Sequence, residues 1–282
     1  MPPRQTMKSL AWLLINFVQL ALLAVWTVIC VGIVVVSRLF GREYPLRVPR
    51  LWSWLLMRLG LIRFQVEQES EIEWDKPHIY VMNHQSMVDI PAAFLAVRTP
   101  LRFIAKQSLA LVPFLGWYMR AVGMVFVDRS RTAKAIASMQ QAVVLLEEGA
   151  SIIAFPEGTR SPDGRIRPFK KGVFMVALQT GVPIVPMAIE GARDVLPPNG
   201  FRPRPGRIRL KIGAPIPTEG LGKGDRDELI AKVRGTILRM HREVGGPGGD
   251  EHRHVAARRE GGQASRPVAS PPEEGPVEKR TA

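Results

Sequence analysis

From Leu10 to Val36 the chain carries no charged side chain, and its only clearly polar members there are Asn16, Gln19 and Thr27. Read as a helix rising about 1.5 Å per residue, this run is roughly 40 Å long, enough to cross a ~30 Å hydrocarbon layer with tilt. A secretory signal would carry a shorter apolar stretch, about 7–15 residues, ahead of a small-residue cleavage site. Val34-Val35-Val36-Ser37 is a poor site of that kind, so the run reads as an uncleaved anchor. A second apolar stretch, Leu51 to Phe64, is interrupted by Arg58 and Arg63 and brings Trp52, Trp54 and Phe64 as large interfacial anchors. It is too short to span, and tryptophan beside snorkelling arginine suits a helix lying in one leaflet. Two geometries follow: a spanning first helix, or a helical hairpin dipping into one side. Basic residues favour the C-terminal flank of the first run (Arg38, Arg42, Arg47 and Arg50 against Arg4 and Lys8). A spanning helix therefore predicts a globular body facing the cytoplasm.

Beyond Arg63 the pattern changes to short apolar runs alternating with longer amphipathic ones. The runs predict strands at Arg63–Glu67, Ile79–Met82, Arg102–Ala105, Met124–Val127, Ile152–Phe155, Ile184–Ile189 and Ile208–Ile212. Helices are predicted at Ile90–Val97, Thr132–Glu148, Gly172–Thr180 and Arg226–Arg242. Thr132–Glu148 sets Ile136, Met139, Val143 and Leu146 on one face, and Gly149 stops it. Asp225 and Glu228 suggest a capping box for the last helix. This alternation argues for an α/β fold with a mixed, mainly parallel sheet flanked by helices. The expected organisation is a membrane anchor over 1–62, an α/β domain over 63–243 and a disordered tail over 244–282. The tail opens with Gly245-Gly246-Pro247-Gly248-Gly249 and holds no aromatic residue.

At 282 residues the chain has room for one full-sized core. Its net charge is +14. The segment from Val244 to Ala282 balances six basic residues against six acidic ones, so the excess lies on residues 1–243. A basic body suits an anionic membrane surface or nucleic acid. Nucleic acid is disfavoured, because zinc-finger spacing, a basic-aromatic RNA signature and a basic-zipper pattern are all missing. Cys30 is the single cysteine and lies in the apolar run, which excludes an internal disulfide and a thiolate metal cluster.

Two polar segments each follow a predicted strand, where ligands of open α/β sheets gather. The first, Asn83-His84-Gln85-Ser86-Met87-Val88-Asp89, places an imidazole five residues before a carboxylate. An imidazole is suited to take a proton from an attacking alcohol near neutral pH. A carboxylate on its other nitrogen fixes the tautomer and stabilises the imidazolium. Asp89 equally suits the cap of a helix that Pro91 begins. The second, Phe155-Pro156-Glu157-Gly158-Thr159-Arg160-Ser161, sets Glu157 and Arg160 about a glycine. The glycine permits a tight turn and the guanidinium offers a planar fork to phosphate. Glu157 suits either orienting that arginine or touching a substrate hydroxyl. Lys106, Arg129 and Lys170-Lys171 also stand near element ends, and their convergence would make a dianion site.

The series His84-x-x-x-x-Asp89, Val125-Phe126-Val127-Asp128-Arg129, Phe155-Pro156-Glu157-Gly158-Thr159-Arg160 and Val182-Pro183-Ile184-Val185-Pro186 resembles the glycerolipid acyltransferase family, most closely its lysophosphatidic acid acyltransferases. The likeness covers residues 60–215, with all four blocks in the family's order. It implies His84 as general base, oriented by Asp89. It implies Lys106, Arg129, Glu157, Gly158, Thr159 and Arg160 as the binding residues for a glycerol phosphate acceptor, and Val182–Pro186 as a shaper of pocket and acyl path. The implied partners are lysophosphatidic acid, an acyl-CoA or acyl carrier protein donor, and the membrane bilayer. No cofactor or metal is implied, since the thioester is already activated. Other lyso-acceptors, glycerol 3-phosphate, and an esterase using Ser86 are the alternative readings, with a lipid-binding protein without turnover as a further one.

Overall fold

The computed structural model describes residues 4–40, 47–112, 115–128, 132–200 and 203–249. Two helices come first, α1 (Arg4–Leu39) and α2 (Arg47–Leu59). Strand β1 (Ile62–Gln68) follows, then β2 (Ile79–Met82), α3 (Asp89–Ala96), β3 (Leu101–Lys106), α4 (Leu115–Ala121) and β4 (Val125–Val127). The second half holds α5 (Thr132–Glu147), β5 (Ser151–Ala154), α6 (Gly172–Thr180), β6 (Ile184–Glu190), α7 (Ala192–Val195), β7 (Gly206–Ile212) and α8 (Arg226–Glu243).

The seven strands form one sheet in the order β1-β7-β6-β2-β5-β3-β4. From β6 to β4 all neighbours are parallel; β7 is antiparallel to β6, and β1 is parallel to β7. Strands β2 and β5 are buried along their whole length, as their unbroken apolar runs require in a central parallel position. Alternation across the pleat divides the core. Tyr80 and Met82 pack on one face with Phe94, Val97 and Phe103. Ile79 and Val81 pack on the other with Phe174, Val233 and Ile237. On α5, Ala142, Val143 and Leu146 are buried, and Gly149 at φ +85° ends the helix region.

Helix α1 is tied to α2 by its few polar groups. Gln19 Nε2 donates to the Leu59 carbonyl at 2.6 Å, and Trp52 Nε1 donates to Thr27 Oγ1 at 2.9 Å. The span Phe17–Ser37 is long and apolar enough to cross a membrane, and most of it is not buried by the rest of the chain. Helix α2 turns Pro49, Ser53 and Met57 to the body and leaves Arg47, Leu51, Trp54 and Arg58 outside.

Several expectations shift. Phe64 lies on β1 and packs against the core instead of anchoring an interfacial helix, because α2 stops at Leu59 and the sheet begins at Ile62. Asp225 does not cap α8: its Oδ2 accepts from the Gly222 amide at 2.7 Å, closing the turn before the helix. The boundary expected at Val244 falls inside the body. Val244 is buried, the Ile166 amide donates to Gly248 O, and the compact unit reaches Gly249. Residues 250–282 lie outside the described residues. The Val182–Pro186 block opens β6 at the amino end of the parallel strands, with Ile184 opposite Ile79. It builds the sheet away from the edge where His84 stands.

Candidate active site

The parallel strands carry their carboxyl ends to one edge, and three of the predicted segments leave from there: His84 after β2, Lys106 at the end of β3 and Glu157 after β5. Asn83 fixes where the first loop departs. Its side chain exchanges two hydrogen bonds with the Ile189 backbone on β6, at 3.0 and 2.8 Å.

Asp89 is the first residue of α3 and is fully buried. Its Oδ2 accepts from three donors: His84 Nδ1 at 2.6 Å and the Gln85 and Ser86 amides at 2.7 and 2.9 Å. One carboxylate oxygen thus closes the loop and orients the ring. With Nδ1 carrying the proton toward Asp89, Nε2 is left as the acceptor. The ring stacks on Phe155 with centroids 4.0 Å apart and keeps an edge open to solvent.

Glu157 is 4% exposed. Its Oε1 accepts from the His84 amide at 2.8 Å and its Oε2 from the Arg167 amide at 2.9 Å. The His84 carbonyl in turn accepts from the Ser161 amide at 2.7 Å. The two segments are therefore laced together through main chain, and Glu157 acts as the tie. This departs from the expected contact of Glu157 with an arginine side chain or a substrate hydroxyl. Burial pushes its carboxyl up to about 7, and the nearby Asp89 charge adds to this, against the pull of the two amides.

Gly158 adopts φ +72°, and a Cβ there would lie 2.8 Å from Lys170 Cε and Nζ. The lysine is held in place by its amide, which donates to Pro156 O at 2.8 Å. Lys170 thus lies over the turn that Glu157 begins. Arg160 is half-buried beyond the glycine, and Thr159 is exposed. Lys106 is exposed at the same edge, two strands from β2. Arg129 lies outside the described residues, as do residues 130 and 131.

Sequence reasoning missed a second buried group behind the loop. His241 on α8 is fully buried and pairs with Glu190 at the end of β6, Nε2 to Oε2 at 2.6 Å. Gln85 Nε2 donates to the same Glu190 oxygen at 2.6 Å. Burial raises the Glu190 carboxyl, but the bonds from His241 and Gln85 outweigh it and hold the group below its usual value. The Gly248 amide approaches His241 Nδ1 at 3.3 Å. The position of Glu190 at a strand's carboxyl end was a usable signal. His241 gave none, since 156 residues separate it from Gln85.

The chain matches the family described as Acyltransferase over residues 47–190. It is 34% identical over 209 residues to 1-acyl-sn-glycerol-3-phosphate acyltransferase alpha of Ovis aries, with 73% of each chain covered. It is 41% identical over 123 residues to a chloroplastic 1-acyl-sn-glycerol-3-phosphate acyltransferase of Brassica napus, a match spanning 44% of this chain and 36% of that protein. The fold resembles the crystal structure of the 1-acyl-sn-glycerophosphate (LPA) acyltransferase from Thermotoga maritima, with TM-score 0.73 and 30% identity, over 84% of this chain and 97% of that one.

Proposed function

The chain belongs to the acyltransferase family, and on that footing we propose that it acylates the sn-2 hydroxyl of 1-acyl-sn-glycerol 3-phosphate to give phosphatidic acid. The observation that carries this reading is the His84–Asp89 pair at 2.6 Å, laced to the Glu157–Arg160 turn at the carboxyl edge of the sheet.

Arg160, Lys170 and Lys106 hold the acceptor's phosphate, with Gly158 and Thr159 giving the turn that lets it approach, and the family resemblance assigns Arg129 to it as well. This brings the sn-2 hydroxyl to His84 Nε2. The imidazole takes the hydroxyl proton as the oxygen attacks the thioester carbon of an acyl-CoA or acyl carrier protein donor. A new C–O bond forms, the C–S bond breaks, and the imidazolium returns its proton to the leaving sulfur. General base catalysis of this kind contributes about 10²–10⁴-fold, and positioning contributes further. Hydrolysis through Ser86 is disfavoured. That hydroxyl is buried and donates to Leu196 O at 2.7 Å, away from the His84 ring.

The apolar span of α1 and the exposed stripe of α2 support membrane association. We place the protein in the inner membrane with the body facing the cytoplasm, from the basic C-terminal flank of α1. Proteolysis of the body in inverted but not right-side-out vesicles is the expected result; the reverse pattern overturns the orientation.

The test of function uses purified full-length protein in detergent with 1-oleoyl lysophosphatidic acid and palmitoyl-CoA. Free thiol and phosphatidic acid should appear in equal amounts. Thiol release without phosphatidic acid would show hydrolysis and overturn the reading.

A further inference from the structure

Strands β1 and β7 are parallel neighbours, and their register sets Arg63 directly opposite Arg207. Neighbouring strands are about 4.8 Å apart, and like charges facing each other across them are destabilising. Both side chains are exposed, and neither has an ion pair among the described residues. A sheet position that costs stability without a partner inside the protein is suited to a partner outside it.

The same two arginines line an open cavity of about 670 Å³ together with Arg58, Met57, Leu61 and Pro205. Arg58 lies in the last turn of α2, and its guanidinium lies 5.5 Å from the Trp54 ring centroid. Among the described residues the lining holds no carboxylate. Leu61 completes the rim with a side chain 60% exposed on a left-handed backbone, φ +52°. Non-glycine residues seldom adopt this conformation. The exposed stripe of α2 (Arg47, Leu51, Trp54, Arg58) runs straight to this rim. Three guanidiniums thus meet at the end of an apolar surface, the arrangement that takes a phosphate with hydrocarbon attached. The cavity's strands β7 and β1 lie two and three strands from β2 in the sheet order, about 10–14 Å at the usual strand spacing.

We propose that Arg58, Arg63 and Arg207 form a binding site for the phosphate headgroup of an anionic bilayer phospholipid, on the same edge of the sheet as the catalytic loop but at its β1–β7 end. The inference rests on the membrane-docking reading of α1 and α2 but not on the identity of the acceptor. Headgroup binding at this point pins the β1–β7 end of the sheet to the bilayer surface.

The test titrates full-length protein in neutral detergent with dihexanoyl phosphatidylglycerol, dihexanoyl phosphatidylcholine or inorganic phosphate, followed by calorimetry. The wild type should bind phosphatidylglycerol saturably. The R63Q/R207Q variant should bind it about fivefold more weakly per arginine removed, roughly 25-fold in all. Phosphatidylcholine binding should not change. Equal phosphatidylglycerol affinity in both proteins would overturn the proposal. So would inorganic phosphate that binds as tightly as the lipid, since the site would then serve a free anion. A melting measurement without anionic lipid separates binding from folding. Arg207→Gln relieves the like-charge contact, so its Tm should equal or exceed that of the wild type. A lower Tm would assign the arginines to the sheet and overturn the proposal. Binding is read without turnover, so an enzyme inactive on lysophosphatidic acid would leave this result standing.

Discussion

The main-chain amide of His84 donates to Oε1 of Glu157 at 2.8 Å, across 73 residues of sequence. This bond makes the two polar segments one structure. Movement of the Glu157 turn is movement of the imidazole.

His84→Ala should lower turnover by about 10²–10⁴-fold while the protein stays folded. Asp89→Asn should lower it through the wrong ring tautomer. It should also cost stability, since the buried oxygen serves two amides as well as the ring; each unpaired buried donor costs about 1–3 kcal/mol. Thiol release and circular dichroism check both variants. Wild-type turnover in His84→Ala would end the general-base mechanism.

Glu157 carries a pH signature. Its folded value of about 7 lies above its ordinary 4.5. The folded state holds this proton more tightly, so the stabilisation is fully present below about pH 4.5 and is lost as pH rises to about 7. Other carboxylates titrate as well, so the informative quantity is the Tm difference between wild type and Glu157→Gln. The wild type should lose ground to the variant between pH 5 and 7.5. Parallel pH curves would contradict the raised value.

Gly158→Ala should destabilise by about 1–2 kcal/mol, because the backbone is left-handed there. The added methyl also meets the end of Lys170, which must move off the turn. A higher acceptor KM should accompany the loss of Tm. An alanine variant unchanged in both would remove Lys170 from the phosphate site.

Arg160→Ala should raise the KM for lysophosphatidic acid by roughly 10–100-fold with a smaller effect on kcat, since a hydrogen bond to a charged group is worth about 1.5–3 kcal/mol. Steady-state kinetics in each substrate decide this. A rise confined to the acyl donor's KM would refute the assignment.

All seven strands and the four helices predicted in the body were legible in the sequence to within a residue or two. Central strands such as Ile79–Met82 are buried on both faces and must be apolar throughout. The short helices Leu115–Ala121 and Ala192–Val195 were not legible, because one or two turns leave no period to detect. The fate of Asp225 was equally hidden: a carboxylate at a helix start has more than one amide within reach, and geometry chose Gly222.

The sequence by itself determined the long apolar helix, the alternation that makes the sheet, and the two segments that hold His84, Asp89, Glu157 and Arg160. Each is a local pattern, fixed by side-chain chemistry at short spacing. Only the tertiary structure decided that Glu157 grips the His84 main chain, that His241 and Glu190 brace Gln85, and that Arg63 faces Arg207. These are contacts between strands and loops distant in the chain. Their register follows from how the sheet closes its core, and no short stretch of residues encodes it.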